Sequence, residues 1–479
     1  MKRLVPIALA LMLGLVPAHV PAATPAIGLS QQQATELVAS YAHLTSEFYK
    51  KVDKQAVLDG ARTNVIAYLK LHGVASPSLE PLRASDDDAT NARNLEREVA
   101  STVNAYAAKI GDKKDPKDAK SPLVLYGPKT GAQNITYAAI SGALGAVKDK
   151  YTVFLSPKEY SELNEGLDGT DFGGVGLSYD IDEQSKTIHV QNVIIDGPAE
   201  KAGVLSEDYI TAVDGKNVHD LVVGKPPEAQ TKIVSGLLRG EAGTKVQLTI
   251  QRSGQALTAP VSVTRAVIHS PSVNLKMLPN GIGWVQLTVF GSDTANELNR
   301  ALARLDSQGA KAYVLDLRYN GGGYLNAAVD VSSKFIASGP IVTVESRAGT
   351  NTEYDAENVA IAPRPLAVLV NHYTASASEI TAGAIQDSGV GTVIGTKTYG
   401  KGVVQSIYPL GDGSAVKITT ARYLTPHGRD INTVGITPDL LADLPKDAKI
   451  RPGDPAKDPQ LQQAMTFLQG KIAALDSTK

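Results

Sequence analysis

Cysteine is absent from this 479-residue chain. No disulfide and no lipid-modified cysteine can therefore form, which is compatible with an exported protein without requiring export. A strong charge of one sign is also missing. The formal net charge is −2 and charged residues make up 20% of the chain, so nothing favours nucleic acid or an anionic membrane surface as a partner. Long hydrophobic runs are lacking too. The apolar stretch Leu4 to Val16 is interrupted by Pro6, followed by Pro17, and short for a membrane span. With Lys2 and Arg3 before it and Ala22 and Ala23 after it, residues 1–23 read as a signal segment, with an uncleaved anchor as the alternative. The expected location is the bacterial periplasm, with no stable membrane span after cleavage. No internal repeat of solenoid type is present.

The chain does have abundant turn residues, 43 glycines and 26 prolines, and enough length for about two to four domains. Leu37, Tyr41, Leu44 and Phe48 recur at helical spacing, and Val57, Ala61, Val65 and Leu69 continue a similar stripe. Further helices are expected near 88–110 and 134–149, making residues 24–150 a helical module without visible chemistry. Gly111 to Lys120 reads as a charged surface loop. Residues 151–171 form a connection. From 172 to 265 the pattern is β-rich, with Ile188 to Ile195, Tyr209 to Val213 and Lys245 to Gln251 as strands. A strand after the Arg252–Gln255 turn is expected to run to Val263. From 266 to 445 strands and helices alternate, which implies βαβ crossovers and a layered α/β core. Residues 446–479 form a helical tail with Leu461, Ala464, Met465 and Leu468 on one face. The fold class is thus α+β and multidomain.

One stretch organises the rest. The apolar run Pro365-Leu-Ala-Val-Leu-Val370 feeds a short turn and the Ala-rich segment after Ser376. Ser376-Ala-Ser-Glu379 fits a helix capping box. The same geometry exposes a serine at a strand-to-helix turn, with the Ala377 N–H aimed where an oxyanion could form. Ser378 is the rival nucleophile. A serine needs a base, and none of the eight histidines stands in a recognisable triad spacing. His372 and His427 alone fall within the α/β core, and His427 reads as a turn residue. Lys401, between Gly400 and Gly402, is the other candidate, since burial is the known route to a lysine base. Its bland reading is an exposed turn charge. Lys401, Val403 and Gln405 alternate along an expected strand, so Gln405 could orient the lysine.

Gly395-Thr-Lys-Thr-Tyr-Gly-Lys401 mimics part of a P-loop, but Gly402 follows where Ser or Thr should bind Mg²⁺, and a strand rather than a helix comes next. Asp316-Leu-Arg-Tyr-Asn-Gly-Gly-Gly323 offers a βα turn that could supply a second oxyanion donor. Phe172-Gly-Gly-Val-Gly-Leu177 could receive a chain terminus beside a free strand edge.

Taken together, these segments resemble the C-terminal processing (tail-specific) peptidases, S41-type serine peptidases, from about Tyr137 to Asp439. Residues 172–265 resemble the PDZ domain of that family, including Gly197-Pro-Ala-Glu-Lys-Ala-Gly-Val204 and Ile210 to Gly215. Asp149-Lys-Tyr-Thr-Val-Phe-Leu155 resembles the segment before it. The resemblance maps a Ser-Lys dyad onto Ser376 and Lys401, whose separation of 25 positions is the family's usual one, a spacing Ser378 does not give. It maps a supporting Gln onto Gln405 and oxyanion donors onto the N–H groups of Gly322 and Ala377. Gly174, Val175, Gly176 and Leu177 would bind a substrate C-terminus. Thr374 stands where the family usually has Ser, and Gly321 where it usually has Pro. The resemblance implies an exported serine endopeptidase acting on proteins with unstructured C-termini. It calls for no metal or other cofactor and no nucleic acid, and it leaves room for a homo-oligomer. The rival from another class is a catalytically silent PDZ adaptor.

Overall fold

The computed structural model describes residues 28–110, 131–169, 171–194, 197–205, 207–225, 227–269, 271–443 and 452–477. The expected signal segment and the Gly111–Lys120 loop lie outside them. The chain divides into two compact units. One comprises residues 1–164, 340–355 and 400–434, the other residues 165–339, 356–399 and 435–479.

In the first unit, helices Gln31–Glu47, Lys54–Leu71, Asp88–Ile110 and Gly131–Gly145 pack on a five-stranded sheet. Ser30 caps the first helix in a reciprocal capping box with Gln33, and Asp53 caps the second. Both sequence stripes are buried throughout. Gly60 and Gly142 let two helices cross backbone to backbone, since a Cβ at either would meet the other's carbonyl oxygen within 2.5 Å. The sheet contains Val153–Leu155, Pro340–Ser346, Asn351–Asp355, Val403–Pro409 and Ala415–Leu424. Tyr408, Val416 and Ile418 from its late strands join the core of the N-terminal helices. Residues far apart in sequence therefore share one hydrophobic core.

In the second unit a six-stranded sheet has the order Val273–Leu278, Ile282–Leu287, Ala312–Asp316, Leu366–Val370, Thr392–Gly395, Leu440–Leu441. Its first pair is antiparallel and the rest are parallel, as the βαβ pattern requires. Strands buried on both faces read as continuous apolar runs, and Ala312–Asp316 and Leu366–Val370 are buried at every position. Ala312, Val314, Ala367 and Leu369 meet the C-terminal helix Pro459–Asp476, which buries Leu461, Ala464, Met465 and Leu468. Helices Thr294–Ser307, Leu325–Ser332 and Ala377–Ser388 complete the alternation.

The same unit contains a second, seven-stranded antiparallel sheet between residues 177 and 264. Leu177–Ile181 is an edge strand, and helix Pro227–Leu238 packs on the sheet's core through Val234 and Leu238. Two local readings change here. Phe172 and Gly173 are strand rather than loop, because Asp171–Gly174 pairs with Ala266–His269. The strand after Gln255 is broken into Gln255–Ala256 and Val261–Thr264, with Pro260, which has no N–H to donate, at the gap.

Candidate active site

The buried strand Leu366–Val370 delivers the chain into a turn fixed almost entirely by side chains. The Asn371 carboxamide oxygen accepts from the N–H groups of Tyr319 (3.2 Å) and Tyr373 (3.0 Å). Thr374 Oγ1 accepts from the Asn371 N–H and donates to the Leu317 carbonyl, both at 2.9 Å. The Ala375 N–H reaches the Asn320 carbonyl at 3.1 Å. Thr374 thus retains the hydroxyl of the serine it replaces in the expected motif.

Ser376 follows with φ 56° and ψ −119°, a left-handed value rare for a residue with a Cβ. Such strain persists only where surrounding bonds over-determine it. Here the Glu379 carboxylate accepts from the Ser376 N–H at 2.9 Å and from the Thr398 hydroxyl at 2.5 Å. Thr398 Oγ1 accepts in turn from the Ile436 N–H at 2.7 Å. Ser376 is the one residue from Thr374 to Ile380 that is not buried. It stands at the start of helix Ala377–Ser388, where backbone N–H groups lack intrahelical partners. Ser378 is fully buried and gives its hydroxyl to the Asn320 carbonyl at 3.1 Å.

Gly322 packs against this turn. A Cβ added there would lie 2.8 Å from Ser376 Cβ and 2.9 Å from the Ala377 nitrogen. Its φ of 101° is also in the range that favours glycine. The structure therefore brings Ser376, Ala377 and Gly322 together. One detail departs from the expected donor pair. The Gly322 N–H is engaged with Asn320 Oδ1 at 2.9 Å. The Asn320 amide nitrogen donates to the Leu287 carbonyl at 2.9 Å, so this buried side chain ties the glycine loop to the end of the strand Ile282–Leu287.

Lys401 and Gln405 belong to the other compact unit. Lys401 lies in a loop before the strand Val403–Pro409, not on it, which corrects the shared-face reading. The chain must clear Asn432 at Gly402, where a Cβ would meet the Asn432 nitrogen at 2.6 Å, and regular pairing starts only beyond that point. The lysine's backbone is pinned on both sides. The Gly400 carbonyl accepts from the Thr433 N–H at 2.8 Å, the Lys401 carbonyl from the Tyr423 hydroxyl at 2.7 Å, and the Gly402 carbonyl from the Tyr423 N–H at 3.1 Å. Lys401 is partly buried and its ammonium lies 5.0 Å from the centre of the Tyr151 ring. The Gln405 amide nitrogen donates to the carbonyl of Val403 at 3.3 Å, within its own strand.

Of the histidine candidates, His372 is exposed with its ring 3.9 Å from that of Tyr373, and His427 is an exposed residue of the Thr425–Arg429 turn. In the seven-stranded sheet's region, Gly174 ends a strand, Val175 and Gly176 form the connection, and Leu177 opens the edge strand. The carbonyls of Val175 and Gly176 accept from the N–H groups of Ala199 (2.8 Å) and Ile194 (3.0 Å). Among the described residues no cluster of three or more His, Asp or Glu could hold a metal ion, and no helix is long and apolar enough to cross a membrane.

Sequence reasoning missed Asn320, Asn371 and Tyr151, and it read Glu379 only as part of a helix capping box. Glu379 had a local signal in the capping box. The others are set by contacts between distant segments.

The family model for peptidase family S41 matches residues 281–442, and that for the PDZ domain matches residues 174–263. The chain is 35% identical over 342 residues to the carboxyl-terminal-processing protease of Synechocystis, covering 71% of this chain and 78% of that protein. It is 35% identical over 355 residues to the carboxy-terminal processing protease CtpA of Bacillus subtilis, covering 73% and 74% respectively. Among solved structures, the photosystem II D1 C-terminal processing protease is 28% identical, with 90% of this chain and 96% of that one covered and a TM-score of 0.42. The chain belongs to the carboxyl-terminal-processing proteases, serine peptidases of family S41 that carry a PDZ domain.

Proposed function

We propose that Ser376 is the nucleophile of a Ser-Lys dyad completed by Lys401, and that the enzyme cleaves exported proteins near their C-termini. The observation that carries this reading is the strained Ser376 backbone at the strand-to-helix turn, with Gly322 pressed against it. Strain of this kind has no use in an ordinary helix cap but holds a hydroxyl out at a sheet edge. Covalent connectivity supports the partner. Tyr399 is tied to the nucleophile turn through its N–H to the Thr374 carbonyl at 3.0 Å, and Lys401 follows two residues along the chain.

In this reading neutral Lys401 removes the Ser376 proton as Oγ attacks the scissile carbonyl, and Gln405 helps to orient the lysine. The tetrahedral oxyanion rests on the N–H groups of Ala377 and Gly322, the second of which must turn from Asn320 Oδ1 toward the substrate. Lys401 returns the proton to the leaving amine. Water then hydrolyses the acyl-enzyme by the reverse proton path. The PDZ domain takes the substrate terminus. N–H groups of Gly174 to Leu177 receive the carboxylate and the edge strand Leu177–Ile181 adds the tail as a further strand. Export by a signal peptide at residues 1–23, a periplasmic location and PDZ limits of 172–265 belong to the same proposal.

The test is cleavage of an apolar, unstructured C-terminal tail by wild type, Ser376→Ala, Lys401→Ala and Ser378→Ala. The first two variants lose turnover and Ser378→Ala keeps it. Equal turnover in all four sinks the dyad, and turnover in none favours the adaptor. Amidating the substrate's C-terminus slows cleavage if the PDZ domain captures its carboxylate.

A further inference from the structure

Two large aromatic side chains stand in solvent beside the nucleophile turn. Tyr319 is 51% exposed and Tyr373 55% exposed. Their rings stack, with centroids 5.4 Å apart and planes 27° from parallel, and the exposed ring of His372 lies against Tyr373. The pair is built rather than incidental. One buried side chain, Asn371, accepts from both backbone N–H groups, fixing the two loops to each other where the rings arise. Tyr319 also adopts φ 63°, a conformation that disfavours a bulky residue and that glycine would take without strain.

The position gives the pair its meaning. Tyr319 is three residues before Gly322, and Tyr373 is three residues before Ser376. Three residues span at most about 11 Å between α-carbons, which is also the reach of about three residues of an extended substrate. Stacked phenol faces left open to water offer a flat apolar surface with polar rims, suited to another ring or a branched aliphatic chain.

We propose that Tyr319 and Tyr373 form a specificity platform that receives an aromatic or branched aliphatic side chain of a substrate residue near the scissile bond. The proposal rests on Ser376 being the nucleophile. The platform selects the substrate and takes no part in bond breaking.

The experiment uses unstructured peptides, identical except for Phe, Leu, Gly or Asp at single positions within three residues of one cleaved bond. The full-length enzyme is compared with Tyr319→Ala, Tyr373→Ala, the double Ala variant and the two Phe variants. The expected loss in kcat/KM is roughly two- to tenfold for the best Phe and Leu peptides, the range that aromatic contacts supply. That loss sits in KM, spares the Gly and Asp peptides and is absent in the Phe variants. Because the rings act as one surface, the double variant loses less than the product of the single losses. An equal loss on every peptide, or no loss on any, overturns the platform. Turnover persisting in Ser376→Ala instead overturns the nucleophile assignment, so the two failures are told apart. Melting temperatures of the variants, expected to match wild type, separate a lost contact from a damaged fold.

Discussion

Gly321 and Gly322 are neighbours with opposite tolerances, and the difference isolates what the site requires. At Gly322 an added Cβ would press on the Ala375 carbonyl, Ser376 and the Ala377 nitrogen at under 3 Å, in a left-handed backbone. Gly322→Ala must therefore displace the Ser376 turn or its own loop. On the proposed mechanism the expected result is a fall in kcat of about 10²–10³, the cost of losing an oxyanion donor, measured by steady-state cleavage of a tail peptide. At Gly321 a Cβ meets nothing within 4 Å, and its backbone is not in the left-handed range. Gly321→Ala should add about 0.4–1 kcal/mol of stability by restricting the unfolded chain, while activity is retained. Equal damage from both substitutions would show that any side chain in the loop is harmful, whatever its contacts. At this scale much was legible. The Ser376–Glu379 motif, the glycine turn and the lysine between glycines all carry local signals. Asn320 carried none, because its partners Leu287, Ala375 and Ser378 are remote in sequence or meaningful only after folding.

The elements show where local pattern stops being informative. Strand and helix periods identify most segments of the α/β sheet, and the apolar face of the C-terminal helix is visible in sequence. Period does not tell which sheet a strand will join. Pro340–Ser346 and Val403–Pro409 look like members of the α/β alternation, yet both pair with Ala415–Leu424 and share a unit with the N-terminal helices. Charge pairing across distance is equally silent. Arg318, 1% exposed, is held by Asp316 at the end of its own strand and by Asp458, which also caps the C-terminal helix. Burial pulls the Arg318 pKa down, but Asp316 and then Asp458 outweigh it, so the net shift is upward and the guanidinium stays charged. Breaking a buried ion pair from one side costs about 3 kcal/mol or more. Asp458→Ala should accordingly lower the thermal unfolding midpoint sharply. Exchange of Ala312–Asp316 amides, just below the Gly322 loop, should quicken with it. Unchanged exchange there would mean that the helix clamps only itself.

For the molecule as a machine, the question is how firmly the PDZ fold is held to the α/β sheet beside it within the same unit. Among the described residues two charge pairs link them. Glu207 meets Lys276 at 2.8 Å, and Glu200 meets Arg304 at 2.6 Å. Glu207 also accepts from His189, whose other ring nitrogen faces Asp180. The pairs are substantially exposed, and exposed pairs contribute less than about 1 kcal/mol each and weaken with salt. Such a seam can position a domain without locking it. Burial opposes ionisation of Glu207, but Lys276 and His189 overcome it and hold its pKa below the ordinary 4.5. Because the folded pKa is the lower one, Glu207 binds fewer protons folded than unfolded. Its contribution is complete above pH 4.5 and is lost as the pH falls through the folded value. Amide exchange of Ile188–Val193 and Val273–Leu278 should therefore be slow and salt-sensitive at neutral pH. After correction for the intrinsic pH dependence, it should rise in Lys276→Ala at pH 7 and converge with wild type once Glu207 is protonated. A Lys276→Ala difference that persisted unchanged in acid would place the seam's strength in packing around Lys276, not in its charge.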